Sequence, residues 1–315
     1  MPLFRASQAV VEHGEEAARQ LFPEEQRAIE TASAFLSDER CDTGFLFSGF
    51  AMTALPHRAP RDPNASWRRE NGKFELVIDP GTILNPKTDK TVRTGIPYGS
   101  RARLILFFLQ SEALRTQSAE ITLGANMSAW MEKMGIPHGG SGYAGIKEQS
   151  QRISGCNLTF IWRGDGVSGT TKTSIVDSTL FFSRDGKQGS LFDDKCRLSS
   201  RFYNELLSHP VPVLESSIRA LSNSSLSMDV YVLLAYRLHV LEKPITISWQ
   251  ALRNQFGPEY SELRNFKMRF IENLKESVAV YPEANVDVTA DGVVLKPSRP
   301  AVPIREINRI LHRAA

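Results

Sequence analysis

Cysteine is scarce in this chain: there are three in 315 residues, Cys41, Cys156 and Cys196, and no C-x-x-C pair. So few and so scattered, they exclude a disulfide framework or a cysteine zinc site and fit a reducing compartment. Histidine is little more frequent. His13, His57, His138, His209, His239 and His312 never fall as H-x-H or H-E-x-x-H, so a zinc hydrolase or a histidine-metal nicking site has no ligands. There is no G-x-S-x-G nucleophile elbow. The most apolar window, Leu104 to Leu109, is far shorter than the ~20 residues of a membrane span, and the N-terminus lacks the basic-then-apolar pattern of a signal peptide. The expectation is a cytoplasmic protein that is not an enzyme and needs neither metal nor cofactor.

Two features imitate chemistry. Gly164-Asp165-Gly166-Val167-Ser168-Gly169 spells G-x-G-x-x-G after an apparent strand. A dinucleotide site needs a helix to open there, because the helix N-terminus holds the pyrophosphate. The following Thr170–Val176 is β-branched and alternating instead, and Thr170 stands where a phosphate loop needs Lys. A flexible hairpin tip is the better reading. Asp193-Asp194 lies between turn signals and basic residues and reads as a solvated pair, since hard cations need more oxygens than two neighbouring carboxylates supply.

Charge is nearly balanced overall, at +3, but unevenly spread. Residues 1–40 hold eight acids and four bases, net −4, so the rest carries +3 − (−4) = +7. A basic body behind an acidic front is compatible with a polyanionic partner without requiring one.

What the chain does contain is a pattern written twice. Met127, Trp130 and Met134 are spaced i, i+3, i+7 and run into Gly135; Trp249, Leu252 and Phe256 repeat the spacing into Gly257. After each Gly come a short turn and a longer helical pattern, Tyr143, Ile146, Ser150, Ile153 in one copy and Leu263, Phe266, Phe270, Leu274 in the other. Before each lies an apolar helix and an Ile-Thr-apolar triplet, Ile121-Thr122-Leu123 and Ile245-Thr246-Ile247. After each comes a hairpin: Leu158–Trp162 with Thr173–Val176, then Val286–Thr289 with Val293–Leu295 around Asp291-Gly292. A helix stopped by Gly, a turn and a second amphipathic helix make a helix-turn-helix; the flanking strand and hairpin make it winged.

The fold expected is α+β, mainly α, with two tandem winged-helix domains. Residues 1–40 read as an acidic, partly helical arm whose order is not assumed. Residues 41–95 read as a small strand-containing region packing on the first domain, with winged-helix domains at 96–212 and 213–315. Ser100 and Ser227 are candidate caps for the helices that precede each copy.

Double-stranded DNA is the partner this architecture suits. With Leu263, Phe266, Phe270 and Leu274 facing a core, Ser261, Arg264, Asn265, Met268 and Arg269 point away, and Lys267 at the margin would reach a phosphate. Arg pairs bidentately with guanine and Asn with adenine in the major groove. The first copy presents Ser141, Glu148 and Arg152, flanked by Lys147 and Gln151, a thinner and less basic face beside Ala144-Gly145. Arg163 and Lys172 on the first hairpin, and Lys296 and Arg299 near the second, suit phosphate or minor-groove contact. A merely solvated charged face is the plain alternative for each of these residues.

The run from Gly95 to Leu106 (GIPYGSRARLIL), continued by Leu109-Gln110-Ser111-Glu112-Ala113, resembles the hallmark of RepA-type plasmid replication initiators. So do Leu55-Pro56-His57, Ser128-Ala129-Trp130, Gly139-Gly140, Lys147-Glu148-Gln149, Phe266-Lys267-x-x-Phe270 and Val280-Tyr281-Pro282. The resemblance extends from about residue 43 to 300 and leaves the acidic arm unmatched. It implies a protein that binds repeated origin sequences (iterons), opens nearby DNA and recruits the host initiator and replicative helicase. It also implies repression of the protein's own gene as a dimer formed through the first domain. A tandem winged-helix transcriptional regulator is the alternative; a nicking replication protein with a catalytic Tyr ranks third for want of metal-binding histidines.

Overall fold

The computed structural model describes residues 3–40, 42–85, 88–124, 127–136, 140–164, 168–177 and 195–311. Helix predominates, with 49% of the chain helical and 22% in strands, so the architecture is α+β. The chain forms two compact units: Leu55–Pro210, and a second that joins Met1–Ala54 to Val211–Arg313.

The N-terminal segment, whose order the sequence left open, is built into the second unit. It forms α1 (Ala6–His13), α2 (Glu15–Leu21) and α3 (Gln26–Leu36), then β1 (Thr43–Phe47) and α4 (Ser48–Met52). Ala6, Ala9, Ala18, Ala28, Ile29 and Ala32 make a buried cluster that also includes Ala279, far along the chain. Small side chains let these helices approach closely. The acidic residues find partners there: Glu25 pairs with Lys275, and Asp38 with Arg219 at 2.7 Å. Arg5 Nη1 donates to the carbonyls of Pro282 and Ala284 at 2.9 and 2.7 Å. Hydrogen bonds from Arg219 and Arg40 outweigh the effect of burial on Asp38 and hold its carboxyl at about 2.

The central unit contains β2 (Trp67–Asn71), β3 (Phe74–Asp79), β4 (Thr82–Asn85), β5 (Lys90–Arg93), α5 (Gly99–Thr116), β6 (Glu120–Thr122), α6 (Met127–Lys133), α7 (Gly140–Gly155), β7 (Asn157–Arg163), β8 (Ser168–Ser174), β9 (Lys195–Arg197) and α8 (Ser200–Ser208). Helix α5 is buried nearly all round and forms the centre of this unit. Trp130 of α6 is fully buried and meets the Phe108 ring of α5 edge-on at 6.1 Å. Strands β2, β3, β7 and β8 form one antiparallel sheet in that order. The hairpin expected at β7–β8 is thus widened by a second hairpin from residues 67–79, closed by a two-residue turn at Gly72-Lys73 with Gly72 at φ +56°. Strand β6 pairs with β9 rather than with the hairpin.

The second unit continues through β10 (Pro210–Leu214), α9 (Glu215–Ala220), α10 (Ser225–Arg237), β11 (Ile245–Ser248), α11 (Trp249–Phe256), α12 (Leu263–Ala279), β12 (Val286–Val288), β13 (Gly292–Leu295) and α13 (Ile304–Leu311). Strand β1 pairs with β10, and β11, β13 and β12 form a three-stranded sheet in that order. Trp249, Phe256, Phe266 and Phe270 are buried, with ring centroids 5.4 to 6.1 Å apart around Phe270. The region expected to be continuous over 41–95 is therefore divided, its first part joining this unit through β1 and α4. Both cap expectations shift as well. Ser224 rather than Ser227 caps α10, accepting from the Ser227 amide at 3.1 Å, and α5 starts at Gly99 with no side-chain cap. Among the described residues, no helix is long and apolar enough to cross a membrane.

Candidate nucleic-acid interface

Helix α12 has two faces of different character. Phe266, Phe270 and Leu274 are buried against α11 and α10, while Arg264, Asn265, Met268 and Arg269 are exposed. Met268 is 53% exposed, unusual for a long apolar side chain on an otherwise polar strip. Ser261 is exposed just before the helix starts, and Leu263 is half-buried. The first two turns of α12 thus project two cations, an amide and a thioether from a rigid element, with bound side chains behind them. Arg269 Nη1 donates to Glu272 Oε2 at 3.0 Å, a surface pair of small energetic value.

Lys267 is directed elsewhere than expected. Its Nζ donates to the Ala290 carbonyl at 3.3 Å and lies 5.3 Å from the Trp249 ring centre, so it ties α12 to the β12–β13 turn. Lys296 bridges to Asp287 at 2.6 Å on the same hairpin. Arg299 has an exposed side chain, and its carbonyl accepts from the Tyr281 hydroxyl at 2.6 Å.

In the central unit the corresponding helix is α7, with Ile146, Ser150 and Ile153 buried. Here the placement of Arg152 is corrected. Helical spacing puts it on the outer face, yet its side chain is only 16% exposed. Its Nε and Nη2 contact Glu148 Oε1 at 3.1 and 2.9 Å, Nη1 donates to the Ile96 carbonyl at 3.2 Å, and the guanidinium lies 5.1 Å from the Tyr98 ring centre. Tyr98 donates its hydroxyl to Glu148 at 3.1 Å and its amide to Gln149 Oε1 at 2.9 Å. Burial, then the adjacent Glu148 charge, raise the Tyr98 phenol above its ordinary range and keep it a donor. Gly95, at φ +70°, leaves the space that Arg152 occupies; a Cβ there would lie 2.2 Å from Nη1. Arg103 of α5 anchors the other side of the run, donating to the carbonyls of Leu55, Pro56 and Gly99 at 2.8, 3.2 and 3.0 Å.

Residues 95–103 are accordingly a clasp that fixes α7. The strip of α7 left outside it carries Ala144, Lys147 and Gln151, the first two exposed and the third half-buried. Gly145 is buried beside Arg101, where a Cβ would come within 2.5 Å of Nη1. The side chain of Ser141 lies outside the described residues.

On the sheet of the central unit, Arg163, Arg68 and Glu75 form a charged row. Glu75 Oε2 takes Arg163 Nη2 at 2.6 Å and Oε1 takes Arg68 Nη1 at 3.4 Å, so Arg163 is held by a carboxylate. Lys172 is exposed on the neighbouring strand, and its carbonyl accepts from Arg201 Nη1 at 3.2 Å. Arg68 and Arg201 went unseen in the sequence because strand pairing and the packing of α8, not local spacing, bring them here. Gly169 sits in β8 opposite Trp162, and the chain continues as strand, so the helix of a dinucleotide fingerprint is not there. Asp165–Val167, His138, Gly139, Asp193 and Asp194 lie outside the described residues. Among the described residues, no three His, Cys, Asp or Glu side chains gather as a metal site.

Residues 96–251 match a family model, RepA_C, described as plasmid encoded RepA protein. No curated protein matches the chain. Among solved structures, domains 2 and 3 of RctB, as a selenomethionine derivative, superpose with a TM-score of 0.51 at 12% identity, covering 82% of this chain and 100% of that one. A second structure of RctB domains 2–3 gives a TM-score of 0.47 at 13% identity, covering 78% and 94%.

Proposed function

We propose, on the match of residues 96–251 to the model for plasmid-encoded RepA proteins, that the chain is a plasmid replication initiator. In this reading each unit carries a winged-helix domain, with α5–β8 and α10–β13 as the two copies. Together they bind double-stranded DNA at repeated origin sequences. The observation that carries the reading is α12: a helix seated on Phe266, Phe270 and Leu274 that presents Arg264, Asn265, Met268 and Arg269 outward from its first turns. Recognition helices contact base edges with their N-terminal residues, and these residue types suit guanine, adenine and the thymine methyl. Helix α7 offers only Lys147 and Gln151 beside Ala144, so the central unit holds backbone more than it reads sequence.

The protein acts without catalysis, metal or cofactor in the cytoplasm. It opens DNA beside its site, engages the host initiator and helicase, and represses its own gene as a dimer formed through the central unit. The test uses the full-length chain to select from a random 40-bp duplex pool, at about that length to exceed two turns of helix. A repeated copy of the selected sequence is then placed beside an A·T-rich stretch. An enriched motif and protein-dependent permanganate reactivity in that stretch are expected. A motif with no opening would favour the regulator, and failure to enrich any motif would overturn DNA reading.

A further inference from the structure

The N-terminal helices are seated on the C-terminal half of the helix proposed to read DNA, on the same side as its exposed strip, and the seat is electrostatic as well as apolar. Helix α3 contributes Ala28, Ile29 and Ala32 to the cluster that contains Ala279 at the last turn of α12. On the helical wheel, Ala279 lies opposite Phe270, so α3 covers the outer side of the C-terminal half of α12. The exposed N-terminal half, with Arg264 to Arg269, lies beyond it.

Where the covered and exposed halves meet, two guanidinium groups share one carboxylate. Glu272 Oε2 lies 3.0 Å from Arg269 Nη1 and 3.9 Å from Nη1 of Arg27, on α3. Arg27 is fixed by its other nitrogen, Nη2, 2.6 Å from Oε1 of Glu276. The Glu276 side chain is 5% exposed and also accepts from the Ser227 hydroxyl at 2.7 Å. Glu25 of the same segment holds Lys275, the next cation along α12. Glu272 is therefore a negative charge one turn behind a cation meant for DNA. Left alone it would repel phosphate and retain Arg269; a second guanidinium beside it weakens both effects.

Resting on the reading of α12 as the DNA-contacting helix, we propose that Arg27 is a positioning residue for DNA recognition. It acts through Glu272, offsetting that carboxylate so that Arg269 is released to the groove. The N-terminal segment thereby belongs to the DNA-binding unit rather than standing apart from it.

The test is a thermodynamic cycle in the full-length chain, read as affinity for a duplex that the wild-type protein selects from a random pool and for its scrambled counterpart. Removing Arg27 alone would strand the buried Glu276, so Arg27→Gln is combined with Glu276→Gln. Glu272→Gln, at a partly exposed position, should tighten the selected duplex about threefold, the scale of a surface charge pair. Arg27→Gln/Glu276→Gln should weaken it by about threefold and lower the ratio of selected to scrambled affinity. Adding Glu272→Gln to that pair should abolish the loss, because the charge that Arg27 offsets is gone. An equal loss with and without Glu272→Gln would overturn the proposal and assign Arg27 a direct or purely structural role. Should the paired variant not fold, the cycle is run with Arg27→Gln alone, with and without Glu272→Gln, and an equal loss in both backgrounds refutes. If the wild-type chain selects no duplex, the DNA reading itself fails; if it selects one and the cycle is additive, only the role of Arg27 fails.

Discussion

Arg152→Ala separates the two readings of the most informative side chain in the central unit. In the clasp, Arg152 contacts Glu148 twice, donates to the Ile96 carbonyl and lies over Tyr98. The bond to the sheltered carbonyl is charge-assisted and worth ~1.5–3 kcal/mol. The Glu148 pair, half open to solvent, adds ~0.5 kcal/mol, and the ring contact ~0.5–1 kcal/mol. Truncation should thus cost roughly 2.5–4.5 kcal/mol, which for a unit of this size lowers its thermal midpoint by roughly 5–18 °C. Arg152→Lys should recover little, since an ammonium cannot reproduce the planar fork. Calorimetry of the full-length chain measures the loss, and Lys172→Ala, at an exposed position of β8, serves as the comparison with an unchanged midpoint. An unaltered midpoint for Arg152→Ala, together with weaker DNA binding and a smaller salt slope, would refute the clasp and make Arg152 a phosphate contact.

Gly81→Ala should destabilise the central unit by more than about 2 kcal/mol, because its Cβ would lie 1.5 Å from the Gly155 carbonyl oxygen at the end of α7; urea denaturation with an unshifted midpoint would contradict this approach. Asp38, held at about 2 against an ordinary 3.8, contributes stability that is present above pH ~4 and lost as pH falls towards ~2. Asp38→Asn should therefore cost about 1–2 kcal/mol at neutral pH after allowance for screening, with the gap closing near pH 2; a gap independent of pH would rule the ion pair out as its source. The purified protein should bind no ATP in equilibrium dialysis, since Gly169 and the residues after it are strand; saturable binding would restore the phosphate-loop reading.

The helix pairs α6–α7 and α11–α12 were legible because their signal is local: apolar residues at helical spacing, Gly stops and a Trp in each first helix. The β12–β13 hairpin was legible for the same reason, lying between β-rich runs, although Gly292 opens β13 instead of forming a two-residue turn with Asp291. The N-terminal helices were not, because their buried face is mostly alanine and becomes a core only when Ala279 arrives from far along the chain. Arg152 illustrates the same limit at a candidate site. Spacing alone gave its helix face correctly, but the groups that fold it back, Ile96 and Tyr98, lie more than fifty residues earlier. Glu75, which holds Arg163, is more distant still and reaches it only through the β3–β7 register. Periodicity reports which way a side chain leaves its helix; it does not report what waits there.

The central claim is that the first turns of α12 read sequence while the hairpin of the central unit only holds backbone. Salt titrations of Arg264→Ala, Arg269→Ala and Lys172→Ala, on a selected duplex and on its scrambled counterpart, test it directly. Each α12 truncation should cost roughly 1–3 kcal/mol on the selected duplex, relax preference at one base position and leave scrambled DNA much less affected. Lys172→Ala should weaken both duplexes alike and reduce the salt slope by about one. Equal weakening of the two duplexes by both α12 variants would contradict the account and move sequence reading to another part of the chain.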